Sequence, residues 1–404
     1  MLEFKRVQSS TKPRADEAIH KKITAVPLLD LHRQYATIRQ EITDAIERVC
    51  SSQQFILGEE VESLEGEIAS FTGTSAAVGC ASGTDALWLA LTAAGIGSGD
   101  AVITTPFSFF ASASAIVRIG ARPIFVDVDH RTLNLDPSKV DAKLRSSPSS
   151  AIKAILPVHL YGQCANMTAL ETISEEFHLS IVEDAAQALG AEWKNKKAGA
   201  LGLAAAFSFY PTKNLSAYGE AGIVTTSNLE MAEHVRQLRN HGSSRRYHHE
   251  EFGWNARMDA IQAAILRVKL PHLAKWNQQR RDLAATYDRL FAEAGLISLI
   301  ASEKTSMQPL ENSKQGVHVF HQYVIRTQRR DELRAFLAQK NIGTEVYYPV
   351  PLHLQPCFAY LGYREGNLPV AERAANEVLA LPMFPELTED EQEYVVANIA
   401  DFYS

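Results

Sequence analysis

Residues 151–187 read AIKAILPVHLYGQCANMTALETISEEFHLSIVEDAAQ, and this stretch decides the fold. Ala151 to Leu160 is an apolar run of strand length. Met167 to Phe177 carries its apolar residues at helical spacing, and Leu179 to Val182 is a second apolar run. Strand, helix, strand, with the strands apolar on both faces, is the pattern of a parallel sheet covered on each side. The alternation continues outward in both directions. Ala76 to Cys80, Ala101 to Thr105, Pro123 to Val128, Ala204 to Ser208 and Gly222 to Thr226 read as further strands. Val61, Leu64, Ile68 and Phe71 recur at helical spacing, and Gly73 is placed to stop that helix. Ser82-Gly83-Thr84-Asp85 opens an apolar helix that ends near Gly95, and Ala111 to Gly120 reads as a helix of small residues. The fold class is therefore α/β with a large, mostly parallel sheet. In such sheets ligands sit at the carboxyl ends of the strands, which directs the search for chemistry.

Downstream the pattern changes. A helix runs from Met258 towards Leu270, where Pro271 breaks or kinks it, and Leu273 to Ala292 is helical again. His321 to Arg326 reads as a strand and Asp331 to Gln339 as a helix. Thr344 to Tyr348 reads as a strand after the Asn341-Ile342-Gly343 turn, and Val370 to Leu379 and Glu389 to Asp401 read as helices. The expected organisation is an N-terminal extension over 1–26, a large domain over 27–270 and a smaller α+β domain over 271–404.

Composition sets limits. The chain has 404 residues, about two domains by length. It is 46% hydrophobic and 22% charged, an ordinary globular balance. With 40 Lys plus Arg against 47 Asp plus Glu, the formal net charge is −7, a poor field for nucleic acid. The longest uncharged stretch, Ala101 to Val117, is interrupted by Pro106 and many hydroxyl residues, so no membrane span is expected. The first residues lack the apolar core of a secretory signal. Cys50, Cys80, Cys164 and Cys357 form no CxxC pair, which argues against a zinc site or disulfide framework and for a reducing, cytoplasmic setting.

Three strand ends carry candidate chemistry. Ser82-Gly83-Thr84 lies between a strand and a helix, where free N–H groups and the helix dipole suit a phosphate; taken alone it is more simply read as a plain N-cap. Asp184 ends a very apolar strand and needs a cation or strong donors, although a salt bridge or helix cap would also satisfy it. Lys213 stands in Phe207-Ser208-Phe209-Tyr210-Pro211-Thr212-Lys213-Asn214-Leu215. An apolar, aromatic setting disfavours its ammonium form and frees the amine to attack an aldehyde, unless the side chain snorkels to the surface. Together they match what pyridoxal phosphate requires: a lysine to bond its aldehyde, an acid to hold its pyridinium proton, and a phosphate cradle that Ser208 could complete.

These motifs, in order, resemble the DegT/DnrJ/EryC1/StrS group of pyridoxal-phosphate-dependent nucleotide-sugar aminotransferases. The resemblance runs from about Pro27 onward. It rests on Pro27-Leu28-Leu29-Asp30-Leu31, Phe55-Ile56-Leu57-Gly58, Ser82 to Leu87, Glu183-Asp184-Ala185-Ala186-Gln187 and Ser208 to Leu215. Gly253-Trp254-Asn255-Ala256-Arg257-Met258-Asp259 and Tyr348-Pro349-Val350-Pro351-Leu352-His353 extend it. The resemblance implies the aspartate-aminotransferase fold, fold type I, working as a homodimer with pyridoxal 5'-phosphate. By position, Lys213 would bond the cofactor and Asp184 would face its ring nitrogen. Gln187 would lie near the phenolic oxygen. Gly83, Thr84 and Ser208 would hold the phosphate, and Phe109, with Phe107 as a close alternative, would stack on the ring. Asn255 would reach the phosphate of the neighbouring subunit. Relatives that remove a hydroxyl carry His in place of the lysine, so Lys213 argues against that branch. Two departures stand: Gly219-Glu220-Ala221-Gly222 in place of paired glycines, and the long N-terminal extension.

The implied reaction takes an amine from L-glutamate to a nucleotide-linked keto sugar. The run Arg245-Arg246-Tyr247-His248-His249 either pairs with the diphosphate or forms a solvated loop. Similar runs, and a similar Tyr348 to Pro356 segment, occur in relatives acting on 3-keto sugars. Tyr218, Arg246, His321 and Tyr348 are the candidate sugar contacts, and His321 reads equally as a hydrogen-bonded strand histidine. A dTDP-3-keto-6-deoxyhexose is the expected acceptor. The alternatives are a UDP-linked 3-keto sugar, an amino-cyclitol ketone, or a cofactor-binding regulator without turnover.

Overall fold

The computed structural model describes residues 23–146, 149–296 and 316–404. Seven strands form the main sheet: β1 (Ala76–Cys80), β2 (Ala101–Thr104), β3 (Arg122–Phe125), β4 (Ile152–Leu156), β5 (Ser180–Asp184), β6 (Ala204–Ser208) and β7 (Gly222–Thr226). Their order across the sheet is β1-β7-β6-β5-β4-β2-β3. Neighbours from β6 to β3 are parallel, and β7 alone is reversed, pairing antiparallel with both β6 and β1. The period-2 alternation of a strand explains the doubly apolar sequence. Ala77, Ile103, Ile155, Ile181, Phe207 and Ile223 point into one core. Their neighbours Val78, Val102, Leu156, Val182, Ala206 and Val224 point into the other.

Helices cover both faces, beginning with α1 (Leu31–Ser52), α2 (Glu59–Thr72), α3 (Gly83–Ala93), α4 (Ala111–Arg118), α5 (Pro137–Ser146), α6 (Met167–Phe177), α7 (Leu229–Leu238) and α8 (Ala260–Lys269). Helices α2, α5, α6 and α8 bury Leu64, Val140, Leu170 and Leu266 on the first face. Helices α3, α4 and α7 bury Leu87, Ile116 and Val235 on the second. Gly73 ends α2 in the left-handed conformation (φ 77°), as its position suggested. Ser82 caps α3, its Oγ accepting from the Asp85 N–H at 3.1 Å. Pro271 separates α8 from the long α9 (Leu273–Glu293) through a 3₁₀ turn at Leu270–His272.

The C-terminal part builds its own core from α9, α10 (Arg330–Gln339), α11 (Pro369–Glu377) and α12 (Glu389–Tyr403) around the antiparallel pair β8 (Tyr323–Arg326) and β9 (Val378–Leu381). Three expectations are corrected here. The helix expected over Val370 to Leu379 ends at Glu377, because Val378 to Leu381 pair residue for residue with β8. Thr344 to Tyr348 is not a strand: only Glu345 bridges to Ala380, and Pro349 and Pro351 downstream have no N–H for a ladder. The N-terminal extension does not reach residue 26. Residues 1–22 lie outside those described, but Val26 is fully buried in the C-terminal core and pairs with Ile342.

Asp127, just after β3, ties the two parts by accepting the N–H groups of Val370 and Ala371 at 3.0 and 2.9 Å, at the positive end of α11. Among the described residues no helix is long and apolar enough to cross a membrane.

Glu183 shows how the sheet end is anchored. Its carboxylate is wholly buried and accepts from the Gly199, Leu201 and Gly202 N–H groups at 2.9, 2.8 and 2.8 Å. His159 Nε2 meets it at 2.9 Å. Glu183→Ala would strand all four partners, and equilibrium urea unfolding should show a loss of about 3–5 kcal/mol. A loss below about 1 kcal/mol would contradict this anchoring role.

Candidate functional site

The carboxyl ends of β1, β2, β5 and β6 open onto one cavity of about 540 Å³. Its lining includes Gly83, Thr84, Ser108, Phe109, Asp184, Gln187, Ser208, Lys213, Glu220, His321 and both Tyr347 and Tyr348. Two of these end strands, Asp184 closing β5 and Ser208 closing β6. Asp184 is the last ladder residue of β5, paired with Ala206 of β6 and bridged to Val158 beyond β4. The Lys213 loop is pinned between β6 and β7: Phe209 N–H donates to Ala221 O, Lys213 N–H to Tyr210 O and Ala217 N–H to Phe209 O, each at 2.8 Å.

Asp184 is 4% exposed. Its Oδ2 accepts from Ser112 Oγ at 2.7 Å and its Oδ1 from the Ala186 N–H at 3.2 Å. Ser112 in turn meets Ser108 Oγ at 2.8 Å. Burial raises the Asp184 carboxyl above its ordinary value, against the downward pull of the Ser112 and Ala186 hydrogen bonds and of Lys213. Burial also lowers the Lys213 ammonium to about 8, partly offset by Asp184. The amine is thus available near neutral pH, and the carboxylate is positioned to share a proton with a heterocyclic nitrogen.

The anion cradle is built by close packing. A Cβ on Gly83 would lie 2.5 Å from Ser208 Cβ, so only glycine lets β6 approach the start of α3. The same holds at Gly222, whose added Cβ would lie 2.3 Å from Ser82 O. Gly83 and Thr84, whose N–H groups have no acceptor within α3, line the cavity together with Ser208. Gln187 is held from both ends: Oε1 accepts from the Tyr161 N–H at 2.6 Å, and Nε2 donates to Tyr348 Oη at 3.0 Å. Tyr161 Oη donates to the carbonyl of Tyr347, fastening that segment over the cavity. The set fits a phosphorylated aromatic aldehyde with a ring nitrogen: a cradle for the phosphate, a carboxylate for the nitrogen and an amine for the aldehyde, all on one cavity.

Of the two phenylalanines left open by the sequence, Phe109 is 58% exposed and lines the cavity, whereas Phe107 is 1% exposed and packs in the C-terminal core. Tyr218, Arg246 and Asn255 do not line this cavity. The Tyr218 ring sits 4.5 Å from Lys269 Nζ and edge-on to Tyr35. Arg246 lies exposed between the short strands Ser243–Arg245 and His248–His249, and Asn255 is exposed beside Arg257. Sequence reading missed Ser112 and Ser108, whose four-residue spacing was a signal, and Tyr347 and Glu220, which carried none. It also passed over Lys269, a second lysine lowered to about 8 by burial. Lys269 Nζ is committed to Ser216 O and Oγ at 2.8 and 2.9 Å and lies outside the cavity, so of these two lysines Lys213 is the nucleophile candidate.

Comparison with known proteins agrees with this geometry. The DegT/DnrJ/EryC1/StrS aminotransferase family profile matches residues 36–400, and the chain belongs to that family. A "Pleiotropic regulatory protein" of Geobacillus stearothermophilus is 51% identical, over 94% of this chain and 98% of that protein. A UDP-N-acetyl-3-dehydro-alpha-D-glucosamine 3-aminotransferase of Acidithiobacillus ferrooxidans is 42% identical, over 93% and 96%. A dTDP-3-amino-3,4,6-trideoxy-alpha-D-glucose transaminase of Streptomyces venezuelae is 42% identical, over 93% and 96%. The solved structure of S. venezuelae DesV with a ketimine intermediate superposes with a TM-score of 0.87 at 42% identity, covering 94% of this chain and 99% of that one. The chain is a sugar aminotransferase of fold type I, and its cofactor is pyridoxal phosphate.

Two outcomes follow. In cofactor-free protein, acetylation of Lys213 read by peptide mass spectrometry should rise with pH through a midpoint near 8 and then level, since only the neutral amine reacts. A midpoint near the ordinary 10.5 would contradict the desolvation. Gly83→Ala should weaken pyridoxal phosphate binding by roughly 10-fold or more, measured by equilibrium dialysis, because about 1.4 kcal/mol of lost phosphate contact is tenfold. Unchanged affinity would show that the phosphate sits elsewhere.

Proposed function

We propose that this protein transfers the amino group of L-glutamate to the carbonyl carbon of a nucleotide-linked 3-keto sugar, and that the sugar is a dTDP-3-keto-6-deoxyhexose. The observation that carries the reading is the placement of Lys213 and Asp184 in one cavity with an anion cradle at the start of α3. When bound, pyridoxal phosphate supplies an electron sink for charge developing at the substrate carbon. Asp184 holds the proton at the ring nitrogen that makes the sink effective. Gly83, Thr84 and Ser208 bind the phosphate, Phe109 covers the ring and Gln187 orients it from the phenolic side. Lys213 Nζ would take the proton from the donor's α-carbon as base and hand it to the cofactor carbon as acid; in the acceptor half it would move a proton the opposite way, from the cofactor carbon to the sugar carbon that receives the amine. 2-Oxoglutarate leaves after the first half-reaction.

The working unit is proposed to be a homodimer in the cytoplasm. Arg246 and Asn255 are exposed beside Tyr247, Phe252 and Trp254, which are 83%, 97% and 56% exposed. A second copy covering those aromatic residues would bring Asn255 to its neighbour's phosphate and Arg246 to the sugar diphosphate. All four cysteines are free thiols, which suits a reducing compartment. The Arg-Tyr-His run supports a 3-keto sugar, and the relative acting on a dTDP-sugar supports the dTDP acceptor. The relative acting on a UDP-linked sugar supports a UDP-linked acceptor as the second reading. The similarity to a protein named as a regulator favours a third, cofactor binding without turnover.

Absorbance separates them. L-glutamate should discharge the visible cofactor band of the purified protein, and a dTDP-3-keto-6-deoxyhexose should restore it. Restoration only by a UDP-linked 3-keto sugar selects the second reading, and a band insensitive to amino donors selects the regulator. Lys213→Ala should lower turnover by roughly 10²–10⁴-fold.

A further inference from the structure

A buried chain of side-chain amides ends at His321 and fixes where its proton sits. The chain starts at a backbone carbonyl, which can only accept. Asn277 lies within 3.0 Å of Leu189 O, so the amide nitrogen of Asn277 must face it. The Asn277 oxygen therefore faces Asn214 at 2.8 Å, and Asn214 must present its own nitrogen there. A second carbonyl, Val319 O, lies 3.0 Å from the same nitrogen and requires the same orientation. That turns the Asn214 oxygen to His321 Nδ1 at 3.2 Å, so Nδ1 carries the hydrogen.

Asn214, Asn277 and His321 are all buried, at 7%, 3% and 6% exposure. His321 lines the cavity with Lys213. The charged or titratable groups around it are Lys213 from the β6–β7 loop, Arg280 from α9 and His318 from its own segment. Arg280 Nη1 is taken up by the carbonyls of Phe320, His321 and Met383. Burial first, then these neighbours, hold His321 well below its ordinary pKa, so the ring is neutral. A neutral imidazole protonated at Nδ1 has a lone pair at Nε2.

We propose that Asn277 and Asn214 are positioning residues that lock His321 as the Nδ1–H tautomer, and that its Nε2 accepts a hydrogen bond from the sugar hydroxyl flanking the carbon that receives the amine. The cavity also holds the carboxylates Asp184, which is taken up by Ser112 and the Ala186 N–H, and Glu220; its remaining polar groups are hydroxyls, amides and the Lys213 amine, all able to donate. His321 supplies an acceptor without a negative charge, in the same cavity as the reacting amine. An acceptor sugar lacking that hydroxyl would leave Nε2 buried without a partner, which selects against it.

The substrate half of this inference rests on the aminotransferase reading; the tautomer half does not. Neutron diffraction from perdeuterated holoenzyme reads the tautomer directly. Deuterium on Nδ1 and none on Nε2 is expected, and deuterium on Nε2 overturns the proposal whatever the enzyme's substrate. For the substrate half, kcat/KM is compared for keto sugars with and without the flanking hydroxyl. The wild type should prefer the hydroxylated sugar by roughly 10- to 100-fold. His321→Leu should abolish the preference while glutamate still discharges the cofactor band. His321→Gln, whose amide oxygen can stand where Nε2 stood, should restore it. Asn277→Leu, outside the cavity, should raise KM for the hydroxylated sugar with kcat little changed, an effect that lower yield of folded protein would not produce. A preference that survives in His321→Leu overturns the substrate assignment. Failure of glutamate to discharge the wild-type band instead overturns the aminotransferase reading and leaves the tautomer to the neutron result.

Discussion

Placing an amine and a carboxylate at the same end of an apolar sheet is the constraint on which the rest of this structure depends. Neither group is comfortable there. Burial drives the Asp184 carboxyl up and the Lys213 ammonium down, each towards its neutral form. The surrounding architecture offsets that cost with specific partners. Ser112 and the Ala186 N–H hold Asp184. The three backbone bonds of the 209–221 loop hold Lys213 over the cavity. Glu183, one residue before Asp184, binds the 199–202 turn, so the strand end cannot shift without breaking a buried network. The contrast with Lys269 shows what position adds. Both lysines are lowered to about 8, yet Lys269 gives hydrogen bonds to Ser216 and lies outside the cavity that Lys213 lines.

Much of this was legible in the sequence because it depends on local rules. Apolar runs separated by helical patterns identify a buried parallel sheet, and the carboxyl ends of its strands locate Ser82 to Thr84, Asp184 and Lys213. Gly73 and Pro271 act through their own backbone geometry and fell where expected. The errors came where tertiary pairing overrode local pattern. Val378 follows directly on a helix and looks like its continuation, but Val378 to Leu381 have a partner strand in Tyr323 to Arg326. Thr344 to Tyr348 has strand-like composition, yet β9 offers it only Ala380, and the Tyr347 carbonyl is taken by Tyr161. Val26 was grouped with the extension because nothing in its neighbours shows that Ile342 lies beside it.

Side-chain networks were the least legible. The link from Ser108 through Ser112 to Asp184, and the one from Asn277 through Asn214 to His321, join residues 72 to 107 positions apart at their longest steps. No periodicity reports such pairings. Phe107 and Phe109 show the same limit on a smaller scale. They sit two residues apart in one uncharged stretch, and only the path of the chain after β2 sends one into the core and the other into the cavity.

The central claim, that Lys213 is the residue to which the cofactor bonds, is tested most directly by borohydride reduction of the holoenzyme followed by peptide mapping. The pyridoxyl mass should appear on the peptide containing Lys213 and nowhere else. Its appearance on Lys269, the other lysine of lowered pKa, or on no lysine at all, would contradict the account.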